Sequence, residues 1–377
     1  MFLALREIKH QPSRFVLIVL VITLVAYLTF FLAALAVGLA HSYRAAIDSW
    51  DARAVVLTAA SNQNLNASRL SPEQIERVRQ EAAAVDAQAH PLKVQGVVLE
   101  RVPADGDGTA GTSQTPLRSD AFALGVGSTG PLASPPSQGS PISDPASEVL
   151  LDDSLVEDGW AVGDRLRLSG STQVLRVVGL THDQTLQAAG TVTIDPGTLQ
   201  EALGTGGSMP PNAVVITSAQ DQSPPAGLAE SLDPQELELL TPAELVQTLP
   251  GYSAQVLTFT LMISALVVIA ALVLGIFLYV LTLQKRPVLG VLKARGVPTR
   301  YLVASGSAQT LVLAGGGVGA GLLLVLLTGQ VLPAAVPFRL SPVLTAAVTA
   351  AFVVVALLGG LISVRVVTRI DPVEAIA

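Results

Sequence analysis

The side chains that could carry out chemistry are few and lie far apart in the sequence. The four histidines stand singly and there is no cysteine or HExxH motif, so a metal site is not expected; they are His10, His41, His90 and His182. No Ser/His/Asp set can be recognised from spacing, and no GxxxxGK[S/T] phosphate loop is present. We therefore expect no catalytic residue, no metal ligand and no intrinsic cofactor.

Aromatic and sulfur side chains form a more suggestive pattern near two apolar runs. Tyr252, Gln255, Phe259 and Met262 are spaced i, i+3, i+7 and i+10, so a helix would place them on one face. A second group lies in the first apolar run: Tyr27, Phe30 and Phe31. The two groups could line an apolar slot. In the alternative interpretation, Tyr252 is an anchor at the membrane surface and the others pack against lipid or another subunit.

Four uncharged apolar runs are long enough to position these residues in a bilayer. About 20 apolar residues in helical conformation cross a hydrocarbon core of about 30 Å. The runs are Phe15–Val37, Val256–Leu283, Leu302–Leu332 and Leu340–Val364. Because no cleavage site of the usual small-residue type follows the first run, we interpret it as an uncleaved anchor. The chain is thus predicted to have one span, a large polar insert and three further spans.

The distribution of charge predicts the orientation. Ten bases lie beside the spans, at Arg6, Lys9, Arg14, Lys285, Arg286, Lys293, Arg295, Arg300, Arg365 and Arg369. Few acids accompany them, and an excess of Lys and Arg marks the cytoplasmic side. Both termini and the loop 284–300 are therefore expected inside, and the insert outside. The absence of cysteine from such an insert is compatible with a bacterial surface.

These boundaries divide the chain into nine segments. They are a cytoplasmic amphipathic segment 1–14, a first span 15–40, an extracytoplasmic α+β domain 41–251, a second span 252–283, a cytoplasmic helix 284–300, a third span 301–332, an outer loop 333–339, a fourth span 340–364 and a cytoplasmic tail 365–377.

Turn and capping signals predict an α+β fold for the insert, with its two ends side by side. Ser71-Pro72-Glu73 is typical of a helix start, and that helix should continue to Ala84. Strands are predicted at 54–58, 92–102, 122–126, 147–151, 191–194 and 213–217, with a hairpin of 165–169 and 173–180. Helices are predicted at 224–232 and 241–249, and loops at 103–119 and 127–145.

Two membrane-associated segments have patterns of their own. In the loop 284–300, Val288, Leu289, Val291 and Leu292 form an apolar side opposite Lys293 and Arg295, and Gly296 and Pro298 should end this short helix. The segment is either a docking helix for a cytoplasmic partner or a solvated positive loop. In the third span, Gly315/Gly319 and Gly317/Gly321 have GxxxG spacing, which predicts close helix packing.

Three segments resemble the FtsX-like permeases, the MacB-type (type VII) membrane subunits of ABC transporters. They are the loop QKRPVLGVLKARGVPTRYL, the tail RVVTRIDPVEAIA and the insert segment SEVLLDDSLVEDGWAVGDRLRLSG. The resemblance follows the whole chain in order, with the same arrangement of one plus three spans. It implies a homodimer that works with two copies of a cytoplasmic ATPase, which binds ATP-Mg and moves the spans by mechanotransmission.

Within that family, LPGYSAQVLTFTLMI and FLYVLTLQK resemble the subgroup that exports haem. The resemblance implies efflux of haem or another hydrophobic compound, and a substrate slot near Tyr27, Phe30, Phe31, Tyr252, Gln255, Phe259 and Met262. His41 and Tyr43 are weaker candidates. ATPase coupling is assigned to Lys285, Arg286, Val288, Leu289, Leu292, Lys293 and Arg295. Two alternatives remain: a transmitter that activates a cell-wall hydrolase, and an exporter of lipoproteins or peptides.

Overall fold

The computed structural model describes residues 12–103, 117–128, 130–204, 209–218, 225, 227–284, 291, 295–333 and 336–368. The chain divides into two compact units. The helical unit comprises residues 1–38 and 256–377, and the inserted unit comprises Leu39–Gln255. Of the predicted segments, residues 1–11, most of the loop 103–119, the tail from 369 and most of 285–294 lie outside the described residues.

Four long helices contain the apolar runs. They are α1 (Pro12–Ser49), α6 (Tyr252–Gln284), α7 (Thr299–Val331) and α8 (Pro342–Thr368). Within the described residues, three stretches are long and apolar enough to cross a bilayer: Phe15–Ser49, Tyr252–Phe277 and Ala308–Val331. The fourth helix has a shorter apolar stretch, Pro342–Leu358. Helix α1 continues without a break beyond the first apolar run, and its end belongs to the inserted unit.

The described residues of the inserted unit form ten strands and four shorter α-helices. The strands are β1 (Ala54–Thr58), β2 (Gln88–Val102), β3 (Arg118–Gly125), β4 (Gln138–Gly139), β5 (Glu148–Asp152), β6 (Arg165–Leu168), β7 (Leu175–Thr181), β8 (Gly190–Ile194), β9 (Ala213–Thr217) and β10 (Leu237–Leu240). The short helices are α2 (Pro72–Ala84), α3 (Pro196–Ala202), α4 (Leu228–Ser231) and α5 (Pro242–Thr248). The expected α+β class is confirmed.

The first part of the sheet is a four-stranded antiparallel layer with helices on both faces. Its order is β10, β1, β9 and the beginning of β2. Alternate residues of β1 point to opposite faces. Val55 and Leu57 pack with Trp50 of the α1 end, whereas Val56 packs with Val78 of α2. The layer therefore has two apolar cores, and β1 is buried along its whole length.

The second part of the sheet closes on itself. β2 pairs with β3, β3 with β8, β8 with β5, β5 with β7 and β7 with β6, and β6 pairs with the far half of β2. These six strands form a small barrel, which leaves no edge within the ring. Its interior is filled by aliphatic side chains and by Trp160, whose indole N–H donates to Ser119 Oγ at 3.0 Å.

Local cues explain where several elements begin. The Ser71 side chain accepts from the N–H of Gln74, and the Gln74 side chain accepts from the N–H of Ser71, which is a capping box. Thr241 and Glu244 form a second capping box at the start of α5. The predicted end of α2 at Ala84 agrees with the structure, and so does the predicted hairpin, which is formed by β6 and β7.

Some predicted boundaries were wrong. β3 begins at Arg118, inside the stretch expected to be a loop, because its register with β2 places Arg118 opposite Glu100, with which it forms an ion pair of 2.8 Å. The helix expected over residues 224–232 covers only Leu228–Ser231. Helix α3 and strand β10 were not predicted at all.

In the helical unit, one of the two GxxxG pairs makes the close helix contact that its spacing predicts. A Cβ atom added at Gly317 would lie 2.6 Å from Ile22 Cγ2, and one added at Gly321 would lie 2.9 Å from both Ala26 Cβ and Tyr27 N. Positions 315 and 319 have nothing within 4 Å. Helices α1 and α7 therefore approach through Gly317 and Gly321.

A buried carboxylate in the inserted unit leads to a prediction about pH. The N–H groups of Asp144 and Ser143 donate to Glu148 Oε2, and Arg176 Nη2 lies 2.5 Å from Oε1. These donors lower the pKa of Glu148 to about 2. A lowered pKa stabilises the fold above the ordinary pKa of 4.5, and this contribution is lost as the pH falls toward 2.

We expect Glu148→Gln to unfold at a lower temperature than wild type between pH 5 and 8, with a difference that shrinks below pH 4.5. Thermal unfolding of both proteins across that pH range measures it. Asp120→Asn, on neighbouring β3, is a control for loss of one exposed acid. A difference between Glu148→Gln and wild type that does not change with pH would contradict the assignment.

Candidate functional site

The candidate face of α6 is covered at its beginning and exposed further along. Tyr252 is 7% exposed and belongs to an apolar core of the inserted unit, where its ring lies 5.9 Å from that of Tyr43. Phe259 is half-buried and Met262 is 48% exposed. Tyr252 therefore has a packing role in this structure, whereas Phe259 and Met262 leave apolar and sulfur surface open to a ligand in the membrane.

Gln255 carries an unusual buried donor. Its backbone N–H donates to the Gly251 carbonyl at 2.9 Å. Within the part of the chain that the structure describes, the buried Nε2 atom of its side chain has no hydrogen-bond partner. An unpaired buried amide is unfavourable, so a site that leaves one is suited to a ligand with an oxygen acceptor. Trp50 Nε1 shares this property, so Gln255 remains a candidate through its place on the α6 face.

The aromatic group on α1 separates into two different environments. Tyr27 and Phe31 are stacked with ring centroids 5.9 Å apart, and the Phe31 ring lies 5.8 Å from that of Phe338. The Tyr27 hydroxyl is 3.3 Å from Thr328 Oγ1. Phe30 is 1% exposed and packs against Phe352, so its ring joins helices and is covered on all sides. Tyr27 and Phe31 remain candidates for substrate contact.

The histidines of the inserted unit are held by hydrogen bonds and ion pairs. His90 Nε2 lies 3.1 Å from Thr217 Oγ1, and burial lowers the pKa of His90. His182 Nδ1 lies 2.6 Å from Asp153 Oδ2, and this hydrogen bond raises the pKa of His182. His41 Nε2 is 3.3 Å from Asp183 Oδ1. Among the described residues, no group of three His, Cys, Asp or Glu side chains could hold a metal ion.

Most of the predicted coupling segment lies outside the described residues. This applies to Lys285, Arg286, Val288, Leu289, Leu292 and Lys293. Arg295 is described, and its N–H donates to the Val291 carbonyl at 3.0 Å. Gly296 has φ +83°, a left-handed conformation that favours glycine after a helical turn. Pro298 then precedes α7, and the predicted short helix before Gly296 lies mostly outside the described residues.

Comparison with known proteins finds a family match within the helical part and relatives along the whole chain. Residues 259–372 match the family described as FtsX-like permease C-terminal. A putative hemin transport system permease protein HrtB of Staphylococcus epidermidis is 25% identical, over all of this chain and 99% of its own length. The corresponding protein of Staphylococcus haemolyticus is 24% identical over the same shares. The resemblance to FtsX-like permeases and to the haem-transport subgroup is confirmed.

Proposed function

We propose that this chain, which carries an FtsX-like permease domain, is the membrane subunit of an ABC exporter that removes haem or a similar hydrophobic compound from the membrane. The observation that carries this proposal is the similarity to hemin transport permeases along the entire chain, which includes the inserted unit as well as the helices. The coarser conclusion, a permease subunit and not an enzyme, rests on the family match.

The exposed part of the α6 face supports haem as the substrate class. Haem combines a flat apolar macrocycle with two carboxylates, and sites for such ligands pair apolar walls with a few polar groups. Phe259 and Met262 offer apolar and thioether surface, and the Gln255 amide can donate to a carboxylate. Tyr27 and Phe31 offer a second stacked aromatic surface. None of these candidate contact residues is charged, which agrees with the uncharged apolar runs.

Energy for export has to come from a partner. The apolar runs contain no charged residue, which does not fit a proton relay within the spans. We propose that two copies of a cytoplasmic ATPase bind ATP-Mg and dock on the segment 284–300. They would drive a homodimer of this permease by mechanotransmission, as the resemblance to MacB-type transporters implies. Movement would pass along α1 and α6 to the inserted unit.

The proposal includes a topology. The termini and the segment 284–300 lie on the cytoplasmic side of a bacterial membrane, and the inserted unit lies outside. Four spans are required, of which α8 provides the last. The clustered bases at Lys285, Arg286, Lys293, Arg295 and Arg300 support this orientation.

The alternatives require a different surface. A transmitter that activates a cell-wall hydrolase should present an apolar patch on the inserted unit to bind a protein. Among its described residues, the exposed large hydrophobic side chains are three valines, Val156, Val162 and Val174. Neither this alternative nor lipoprotein export is favoured by a specific contact or patch.

The first experiment is a titration of the detergent-purified full-length permease with haem, followed by visible absorption. We expect a saturable Soret shift, with affinity about tenfold weaker in Gln255→Ala and in Met262→Ala, which corresponds to roughly 1.4 kcal/mol for each variant. Leu261→Ala is the matched control, because Leu261 is 61% exposed on the same helix but faces another direction.

The outcomes separate the parts of the proposal. A saturable shift with wild-type affinity in both Gln255→Ala and Met262→Ala would place the haem site away from this face of α6. If no saturable shift occurs, and haem fails to change ATP hydrolysis by the co-purified complex, haem is excluded as substrate. The permease assignment would then stand with a different hydrophobic cargo.

A further inference from the structure

A loop of the inserted unit holds the end of α1 through backbone hydrogen bonds. This loop, His182–Ala189, joins β7 to β8, and we call it the clasp loop. The N–H groups of Gln187 and Ala188 donate to the carbonyls of Tyr43 and Ser42, each at 3.0 Å. In the other direction, the N–H of Ala46 donates to the Thr185 carbonyl at 2.9 Å.

These bonds involve peptide groups that an isolated helix uses for itself. In a regular α-helix, the N–H of Ala46 donates to the carbonyl of Ser42. The same two groups bond to the clasp loop: the Ser42 carbonyl accepts from Ala188, and the Ala46 N–H donates to Thr185. The clasp loop is therefore joined to the helical ladder and not merely to side chains.

The clasp loop adopts a backbone conformation that its residues do not favour. Asp183, Gln187 and Ala188 have φ values of 55°, 52° and 63°, in the left-handed region where a Cβ atom is unfavourable. Non-glycine residues remain in this region where the surrounding structure holds them there, and such residues often occur at functional positions. The contacts around the clasp loop must therefore offset its strain.

Two polar side chains connect the clasp loop to the barrel and to α1. Asp152, the last residue of β5, is fully buried, and its Oδ1 accepts from the Gln184 N–H at 2.7 Å. Gln184 Oε1 in turn lies 3.1 Å from Ser49 Oγ, whose hydroxyl is shared with the Ala46 carbonyl at 2.7 Å. Leu186 is 0% exposed and anchors the centre of the loop in the apolar core. A continuous path of contacts thus runs from α1 through Gln184 to β5.

We infer that the clasp loop joins the last turns of α1 rigidly to the six-stranded barrel, so that Asp152 and Gln184 are positioning residues that pass displacement of α1 to the barrel. This inference rests on the proposed function, in which an ATPase moves the spans. It assigns the mechanical connection to the clasp loop. It predicts that the hydrogen bonds between this loop and α1 persist through the ATPase cycle.

The chain has no cysteine, so two spin labels can be introduced without a background. We propose labels at Arg44→Cys on α1 and Glu157→Cys beyond β5, both exposed positions, in the full chain in nanodiscs. Distances would be measured by electron paramagnetic resonance, without nucleotide and with the ATPase and ATP. We expect one narrow distance distribution that does not change between the two states.

Gln184→Ala is expected to broaden that distribution and to lower substrate export per ATP severalfold, while ATP hydrolysis continues. Gln184→Glu, which keeps an oxygen acceptor for Ser49, should restore the narrow distribution at least partly. Asp152→Ala, which removes the acceptor of the Gln184 N–H, is expected to broaden the distance distribution more than Gln184→Ala does. Gln95→Ala, a glutamine on β2 that bonds to the adjacent Gly96 carbonyl, is the control.

Two results would overturn the inference. One is a wild-type distance that changes with nucleotide, because the joint would then be a hinge. The other is a Gln184→Ala protein with wild-type distances and coupling, because the clasp loop would then be a simple connection. The distance measurement needs no transported substrate. It therefore tests the joint even if haem is not the cargo, whereas the haem titration tests the cargo alone.

Discussion

Replacing Gly321 with leucine should separate α1 from α7 and severely destabilise the helical unit. The first carbon of a side chain at this position would lie 2.9 Å from Tyr27 N and 3.0 Å from the Thr23 carbonyl oxygen. Both are backbone atoms of a helix, which cannot rotate away as the end of a side chain can. Overpacking of this kind costs about 1–3 kcal/mol or more, so a clearly lower unfolding temperature is the expected result.

Gly319 provides a matched control in the same helix, because nothing lies within 4 Å of a Cβ atom built there. Thermal unfolding of the detergent-purified full-length proteins, followed by size-exclusion chromatography after heating, compares the two variants. Gly319→Leu should behave like wild type. If Gly321→Leu is as stable as Gly319→Leu, the contact of α1 with α7 is not as close as the structure shows.

Placing an acid on the apolar side of the segment 284–300 should abolish coupling to the ATPase. Val288 and Leu292 are four residues apart, so a helix would place them on one face, and burial of a carboxylate in an apolar interface is strongly unfavourable. We expect Val288→Asp and Leu292→Asp to lose ATPase binding or substrate-stimulated hydrolysis by about tenfold or more, since several kcal/mol corresponds to at least that factor.

Gln284→Asp is the control, because it adds the same charge at the exposed last residue of α6, where the side chain is already polar. Co-purification of the ATPase and its hydrolysis rate would be measured for all three variants. Normal complexes with normal turnover in Val288→Asp and Leu292→Asp would mean that this segment serves membrane topology and does not bind the ATPase.

The elements that the sequence predicted well are those with local signals. Ser71 and Pro72 start α2 through a cap and a fixed φ, and both depend on a few neighbouring residues. The GxxxG pairs predicted close packing of helices. The sequence could not say which pair makes the contact, because Gly315/Gly319 and Gly317/Gly321 have identical spacing.

Features that depend on distant pairing were missed. β10 has four residues and becomes a strand through its antiparallel register with β1, in which Leu240 lies opposite Val55. Closure of the barrel depends on β6 reaching back to β2, far away in the chain. The clasp loop was missed because glycine is the usual signal of positive φ, and Asp183, Gln187 and Ala188 are not glycines.

Part of the candidate site was predicted as a helix face, and the residues of that part lie on α6. Periodicity cannot say which part of a face other segments cover. Tyr252 is enclosed with Tyr43 in an apolar core, whereas Met262 is exposed. The unpaired amide of Gln255 could not be found from the sequence either, since it is defined by the burial of one atom.

The inserted unit begins and ends at neighbouring points, because β1 pairs with β10 and the Tyr43 ring contacts the Tyr252 ring. A domain whose two ends meet can be inserted into, or removed from, a host protein without stretching the chain on either side. Evolution can therefore exchange this unit between permeases as a single cassette. A chimera joined near residues 39 and 255, the bounds of the unit, would keep both connections short.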